Sequence, residues 1–141
     1  MTATNNPIQL LKIDHLVLKV HNLDRMIAFY IDVLGCKLER EAGSFGLAQL
    51  RAGASLLDLL DARSKFGLQS GSPPDGKAPN MDHFCLRVSP WDGDAILGHL
   101  DCHGVEYGPI ETRNGADGPG PSLYLRDPEG NSVELKGGHD G

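Results

Sequence analysis

The sequence predicts an α+β fold in which two tandem βαβββ modules form a curved sheet around a cup. Three observations predict it. Asp14-His15-Leu16-Val17-Leu18-Lys19-Val20 is echoed by Asp82-His83-Phe84-Cys85-Leu86-Arg87-Val88 at a shift of 68 residues (83 minus 15), and such a recurrence marks one supersecondary unit used twice. In each copy the alternating stretch gives way to helical spacing and then to short strands. Residues 66–80, rich in Gly, Ser and Pro, have the composition of a linker between the copies.

The first module, 12–62, opens on a strand over 12–20. Leu16, Leu18 and Val20 share one apolar face, while His15, Val17 and Lys19 point the other way. Asn22 suits an N-cap, and Leu23, Ile27, Tyr30 and Leu34 then recur at helical spacing until Gly35, which suits a left-handed C′ position. Strands follow over 36–40, 46–51 and 55–60, with Gly43 and Gly53 in the turns. The second module, 81–137, repeats the order. Ser89-Pro90 opens its helix, with Asp92 in the first turn, and His103-Gly104 closes it. Its loops are longer, chiefly over 108–121. A four-stranded sheet with a helix on one face cannot bury both faces alone, so the two units must pair, within one domain spanning 10–137.

Composition bounds the function. The 141 residues suffice for one domain with a sizeable core, and 40% hydrophobic with 23% charged residues is ordinary for a globular protein. A net charge of −6 with scattered Lys and Arg argues against a nucleic-acid partner. No apolar run approaches the roughly 20 residues that cross a bilayer, and the first seven residues lack the basic and apolar regions of a signal peptide. Cys36, Cys85 and Cys102 are unlike a disulfide framework, which fits a reducing cytoplasm.

Strand parity selects the residues that line the cup. His15 and His83 lie opposite the helix-packing residues. Each module later supplies an acid on a strand, Asp58 in Leu56-Leu57-Asp58-Leu59 and Glu134 in Ser132-Val133-Glu134-Leu135. Two repeat-related imidazoles and two carboxylates on rigid strands form an N/O set suited to one divalent ion per site, Zn, Ni, Fe(II), Mn or Co. A lone strand histidine is ordinarily structural; the repetition, with its paired acids, favours a metal-binding cup. Tyr124 shares a strand face with Ser122 and Arg126, and a hairpin over 127–131 sets it beside Glu134. There it acts either as a hydrogen-bond donor to an oxyanion or as an aromatic wall. Arg113 falls in a Gly-rich stretch and reads as a solvated loop residue, the alternative being a clamp for carboxylate or phosphate. Cys85 reads as a small wall residue; His21, His99, His103 and His139 match no ligand spacing and read as surface residues.

Asp14-His15-Leu16-Val17-Leu18, Met81-Asp82-His83-Phe84 and Tyr124-Leu125-Arg126-Asp127-Pro128-Glu129-Gly130-Asn131-Ser132-Val133-Glu134-Leu135 resemble the vicinal oxygen chelate superfamily, which includes glyoxalase I, extradiol dioxygenases, fosfomycin-resistance proteins and metal-free bleomycin-binding proteins. The resemblance covers residues 10–137 and is most specific in the Asp-Pro-x-Gly-Asn-x-x-Glu-Leu ending. Small glyoxalase-domain proteins share the Arg113-x-Gly115-Ala116-x-Gly118-Pro119 stretch as well.

That resemblance implies metal ligands at His15, His83 and Glu134 and a fourth at Asp58, where glyoxalase I carries a longer Glu or a Gln. The register also allows Leu60 at the fourth position. In that case a His-His-Glu triad with open positions remains, as in fosfomycin-resistance proteins and extradiol dioxygenases. The implied activity is that of a cytoplasmic, glyoxalase I-like lyase acting on a small oxygen-rich substrate, with Glu134 and Tyr124 as catalytic groups. A ring-opening dioxygenase and a drug- or metabolite-binding resistance protein are the alternatives. Family habit further implies a homodimer whose sites draw ligands from both subunits.

Overall fold

Among the described residues eight strands carry the repeat into three dimensions. A computed structural model describes residues 7–71 and 81–139 of the chain. The first module contributes β1 (His15–Val20), β2 (Lys37–Ala42), β3 (Leu47–Ala52) and β4 (Ser55–Asp61), and the second β5 (Phe84–Arg87), β6 (Glu111–Arg113), β7 (Gly120–Arg126) and β8 (Ser132–Lys136). Strand order is β1-β4-β3-β2 in one sheet and β5-β8-β7-β6 in the other. In both, the first strand runs parallel to the last and the remaining pairs are antiparallel. Among the described residues the two sheets stay separate, each with the first strand of its module at one edge, and no closed barrel forms.

Helix α1 (Leu23–Ala28) is capped as the sequence predicts: the Arg25 N–H donates to Asn22 Oδ1 at 3.1 Å. It continues through one π-type turn, Phe29–Val33, and stops at Gly35, whose φ of 80° is left-handed. Two elements differ from expectation. Residues 66–69, assigned to the linker, lie in a short helix α2 (Lys65–Gln69). Ser64 caps it, accepting the Gly67 N–H at 3.1 Å, and Gly67 packs so closely that a Cβ would strike the Asp61 carbonyl oxygen. The rest of the linker, 72–80, lies outside the described residues. In the second module, helix α3 (Gly93–Cys102) starts later than Ser89-Pro90. Asp92 is its N-cap and not a first-turn residue, because its extended backbone (φ −127°) lets the carboxylate accept the Ala95 N–H at 3.1 Å.

The modules pack helix side to helix side. Leu18, Val20, Met26, Tyr30, Leu57 and Leu59 of the first share one core with Phe84, Leu100, Leu123, Leu125, Val133 and Leu135 of the second. Polar contacts tie the same seam. The buried Tyr30 hydroxyl donates to Asp127 Oδ2 at 2.7 Å. The backbone N–H groups of His21 and Asn22 donate to the Glu129 carboxylate at 2.8–2.9 Å. The His99 Nε2–H donates to the Val33 carbonyl at 2.8 Å. The Asp-Pro-Glu-Gly-Asn turn therefore clasps one module to the other. The opposite sheet faces, carrying His15 and Asp58 or His83 and Glu134, are left for the site.

Candidate metal centre

The half-site in the second module is built on β8. Glu134 is buried at 5% exposure and stands in register with Cys85 on β5 and Tyr124 on β7. His83, just before β5, places Nε2 3.2 Å from Glu134 Oε1. Its other ring nitrogen, Nδ1, lies 2.7 Å from Asp82 Oδ2. A carboxylate only accepts, so Nδ1 donates to Asp82, and Nε2 is the nitrogen turned inward toward Glu134. The Tyr124 hydroxyl is 3.5 Å from the same Nε2, with the two rings edge to face at 5.1 Å. Burial, then the charge of Glu134, holds the Tyr124 phenol above its ordinary pKa, so it remains a proton donor at neutral pH. Ser122 Oγ donates to Glu134 Oε2 at 2.6 Å.

The first module repeats this plan with smaller parts. His15 Nδ1 lies 2.8 Å from Asp14 Oδ1, and that hydrogen bond, aided by the charge of Asp58, raises the imidazole pKa. Asp58 lies in register with Val17, two residues beyond His15, as Glu134 lies in register with Cys85, two beyond His83. The register thus makes Asp58, rather than Leu60, the positional counterpart of Glu134. Asp58 is 3% exposed. Its Oδ2 accepts from Gln49 Nε2 at 3.2 Å, and its Oδ1 has no hydrogen-bond partner among the described residues. Burying a carboxylate oxygen without a partner is costly, and a bound cation would offset that cost.

The structure brings His83, Glu134 and Tyr124 together, and sets His15 near Asp58. It does not merge the two halves within one chain: among the described residues no three His, Cys, Asp or Glu side chains converge as a cation site. Cys85 is exposed beside Glu134. The His99 and His103 rings lie 4.6 Å apart, tilted by 59°, and His103 borders the cleft beside Tyr124. Arg113 departs from expectation. It ends β6, donates through NH1 to the Ser122 carbonyl and hydroxyl at 2.9 and 3.1 Å, and lies 4.7 Å over the Tyr124 ring. Sequence inspection missed Ser122 and Gln49 as partners of the two acids. It also passed over Asp14 and Asp82, although their repetition beside each His was a visible signal. A cleft of about 800 Å³ opens next to Tyr124, bordered by Asp82, Arg126, Arg25 and Phe29.

Comparison with known proteins agrees with this architecture. The sequence profile described as Glyoxalase/Bleomycin resistance protein/Dioxygenase superfamily matches residues 12–135. The chain belongs to this superfamily. A virulence protein of Salmonella typhimurium is 33% identical over 130 residues, covering 88% of this chain and 82% of its own. A glyoxalase domain-containing protein of Mycosarcoma maydis is 31% identical, with 91% and 69% covered. Among solved structures, an integron cassette protein of V. cholerae superposes with a TM-score of 0.74 at 26% identity, covering 92% and 97%. A lactoylglutathione lyase of Agrobacterium tumefaciens gives 0.64 at 25%, covering 94% and 96%. No helix among the described residues of this glyoxalase-superfamily chain is long and apolar enough to cross a membrane.

Proposed function

We propose that the chain is a metal-dependent, glyoxalase I-like enzyme acting on a small oxygen-rich substrate. His15, Asp58, His83 and Glu134 would hold one divalent cation. One observation carries this reading: each module sets an imidazole, oriented by the aspartate before it, near a buried strand carboxylate, at matching positions in the two sheets. The partnerless Asp58 Oδ1 and the mixed N/O donor set fit such an ion. When bound, the cation supplies Lewis acidity toward substrate oxygens. The chain supplies the rest. Tyr124, kept protonated, donates to the oxygen on which charge develops. Glu134 removes a proton from one substrate carbon and returns it to the next.

The halves lie on separate sheets, and this supports a site completed between two copies of the chain, the first module of one facing the second module of the other. A homodimer would then hold two equivalent sites.

Metal content of the freshly purified protein, followed by assay of hemithioacetals with Ni, Zn, Mn and Co in turn, tests the proposal. Stoichiometric metal lost in His15→Ala and His83→Ala is the expected result. A protein that binds none of these ions refutes the site, and one that binds them without turnover refutes the lyase activity. The short reach of Asp58, tethered by Gln49, favours a second reading, a His15-His83-Glu134 triad performing ring-opening dioxygenation. Oxygen uptake with catechols after anaerobic Fe(II) loading would identify it.

A further inference from the structure

We propose that Ser122, oriented by Arg113, is a positioning residue that ties down one oxygen of Glu134 and turns the other toward the metal and substrate. This assignment rests on the metal reading above. Ser122 is fully buried on β7, and its Oγ lies 2.6 Å from Glu134 Oε2 and 3.1 Å from Arg113 NH1. A guanidinium only donates, so the Arg113 bond occupies a lone pair of the hydroxyl and leaves its single proton for the carboxylate. The polarity of the chain is thereby set from Arg113 to Ser122 to Glu134. At 2.6 Å the last link falls in the short range of a hydroxyl bonded to an anion.

Arg113 is itself held from several sides. NH1 also donates to the Ser122 carbonyl at 2.9 Å, NH2 donates to Glu111 Oε2 at 3.0 Å, and the guanidinium lies over the Tyr124 ring. With Oε2 occupied, Oε1 is the oxygen presented to His83 Nε2, 3.2 Å away. Glu134 thus meets the cation through one oxygen in a fixed orientation.

The first module has no such device. Gln49 stands opposite Asp58 as Tyr124 stands opposite Glu134, and the residue two before Gln49, matching Ser122, is Leu47. Leucine offers no hydroxyl, which leaves Asp58 with a single amide hydrogen bond and one partnerless oxygen. Glu134 is therefore held firmly on Oε2, with Oε1 left to meet the cation or take a proton, while Asp58 is held only by the Gln49 amide.

The test measures Co(II) affinity and visible absorption of the full chain as wild type, Glu134→Ala, Ser122→Ala and Arg113→Gln, each checked for folding by circular dichroism. Ser122→Ala is expected to weaken Co(II) binding about tenfold or more, the usual effect of losing a partner of a metal ligand. It should also change the absorption bands, as the freed Oε2 enters the coordination sphere. Arg113→Gln leaves the hydroxyl in place but replaces the guanidinium that orients it with a shorter, neutral amide, so a smaller loss than in Ser122→Ala is expected; it carries the test if Ser122→Ala does not fold. In the Glu134→Ala background, Ser122→Ala should have no further effect. Wild-type affinity and spectrum in folded Ser122→Ala, or in Arg113→Gln standing in for it, overturn the positioning role while the metal reading stands. Wild type binding no better than Glu134→Ala overturns the metal reading and the positioning role with it.

Discussion

Removing one oxygen, Tyr30→Phe, tests whether the Asp127–Asn131 turn clasps the modules. The Tyr30 ring is fully buried, and its hydroxyl donates to Asp127 Oδ2 at 2.7 Å, with the carboxylate itself buried. A hydrogen bond to a charged group contributes about 1.5–3 kcal/mol. The lower end applies here because Asp127 keeps other donors: Asn131 Nδ2 on the same oxygen at 2.8 Å, and the N–H groups of Glu129 and Asn131 on Oδ1 at 2.9 and 3.0 Å. Phenylalanine leaves the ring packing intact, so no cavity is added. The expected destabilisation is about 1.5 kcal/mol, or roughly 5 °C in Tm for a chain of this size. Asp127→Ala should cost more, about 3 kcal/mol, since it strands the buried Tyr30 hydroxyl and two turn N–H groups. Urea unfolding followed by tryptophan fluorescence and far-ultraviolet circular dichroism measures both. If Tyr30→Phe unfolds within about 0.3 kcal/mol of wild type, or is as damaging as Asp127→Ala, the clasp as described is wrong.

Three further outcomes follow from the same geometry. Asp58→Asn should stabilise the metal-free chain by about 1 kcal/mol, because a neutral amide replaces a buried charge with a partnerless oxygen, while lowering metal affinity; thermal melts with and without chelator separate the two effects. Mixing His15→Ala with Glu134→Ala chains under subunit exchange should restore metal binding to one site per heterodimer, since both lesions fall in the other site; no recovery means each site lies within one chain. Burial of Cys36, and for the surface residue Cys85 partial desolvation beside the Glu134 charge, push both thiols up to about 11, and since a thiolate forms only as pH rises toward that value, about one in a thousand is reactive at pH 8. A chromogenic disulfide should therefore label exposed Cys102 first at pH 8, with Cys85 gaining about tenfold in rate per pH unit and Cys36 reacting only on unfolding.

Much of the fold was legible because it is written twice. Period-two alternation after each Asp-His, a cap at Asn22, and glycines at 35 and 104 are local signals, and each reports its own element. The register of Asp58 and Glu134 was half legible: parity chose the face, but the choice between Asp58 and Leu60 needed the pairing of β1 with β4. The start of α3 and the short α2 were misjudged. Asp92 and Ser64 both act as caps, and a cap is recognised by the backbone it finds, which composition does not reveal.

By itself the sequence determined which side chains share a sheet face, because side-chain direction along a strand alternates whatever surrounds it. It thereby nominated His15, His83, Asp58, Glu134 and Tyr124. Only the tertiary structure decided their partners. Ser122 reaches Glu134, Arg113 leaves its presumed loop to hold Ser122, and Glu129 reaches from the second module to the turn after β1. These contacts join residues on different strands or modules, and their geometry depends on strand register and on how two apolar faces seat against each other. Neither quantity is carried by any one segment of the chain.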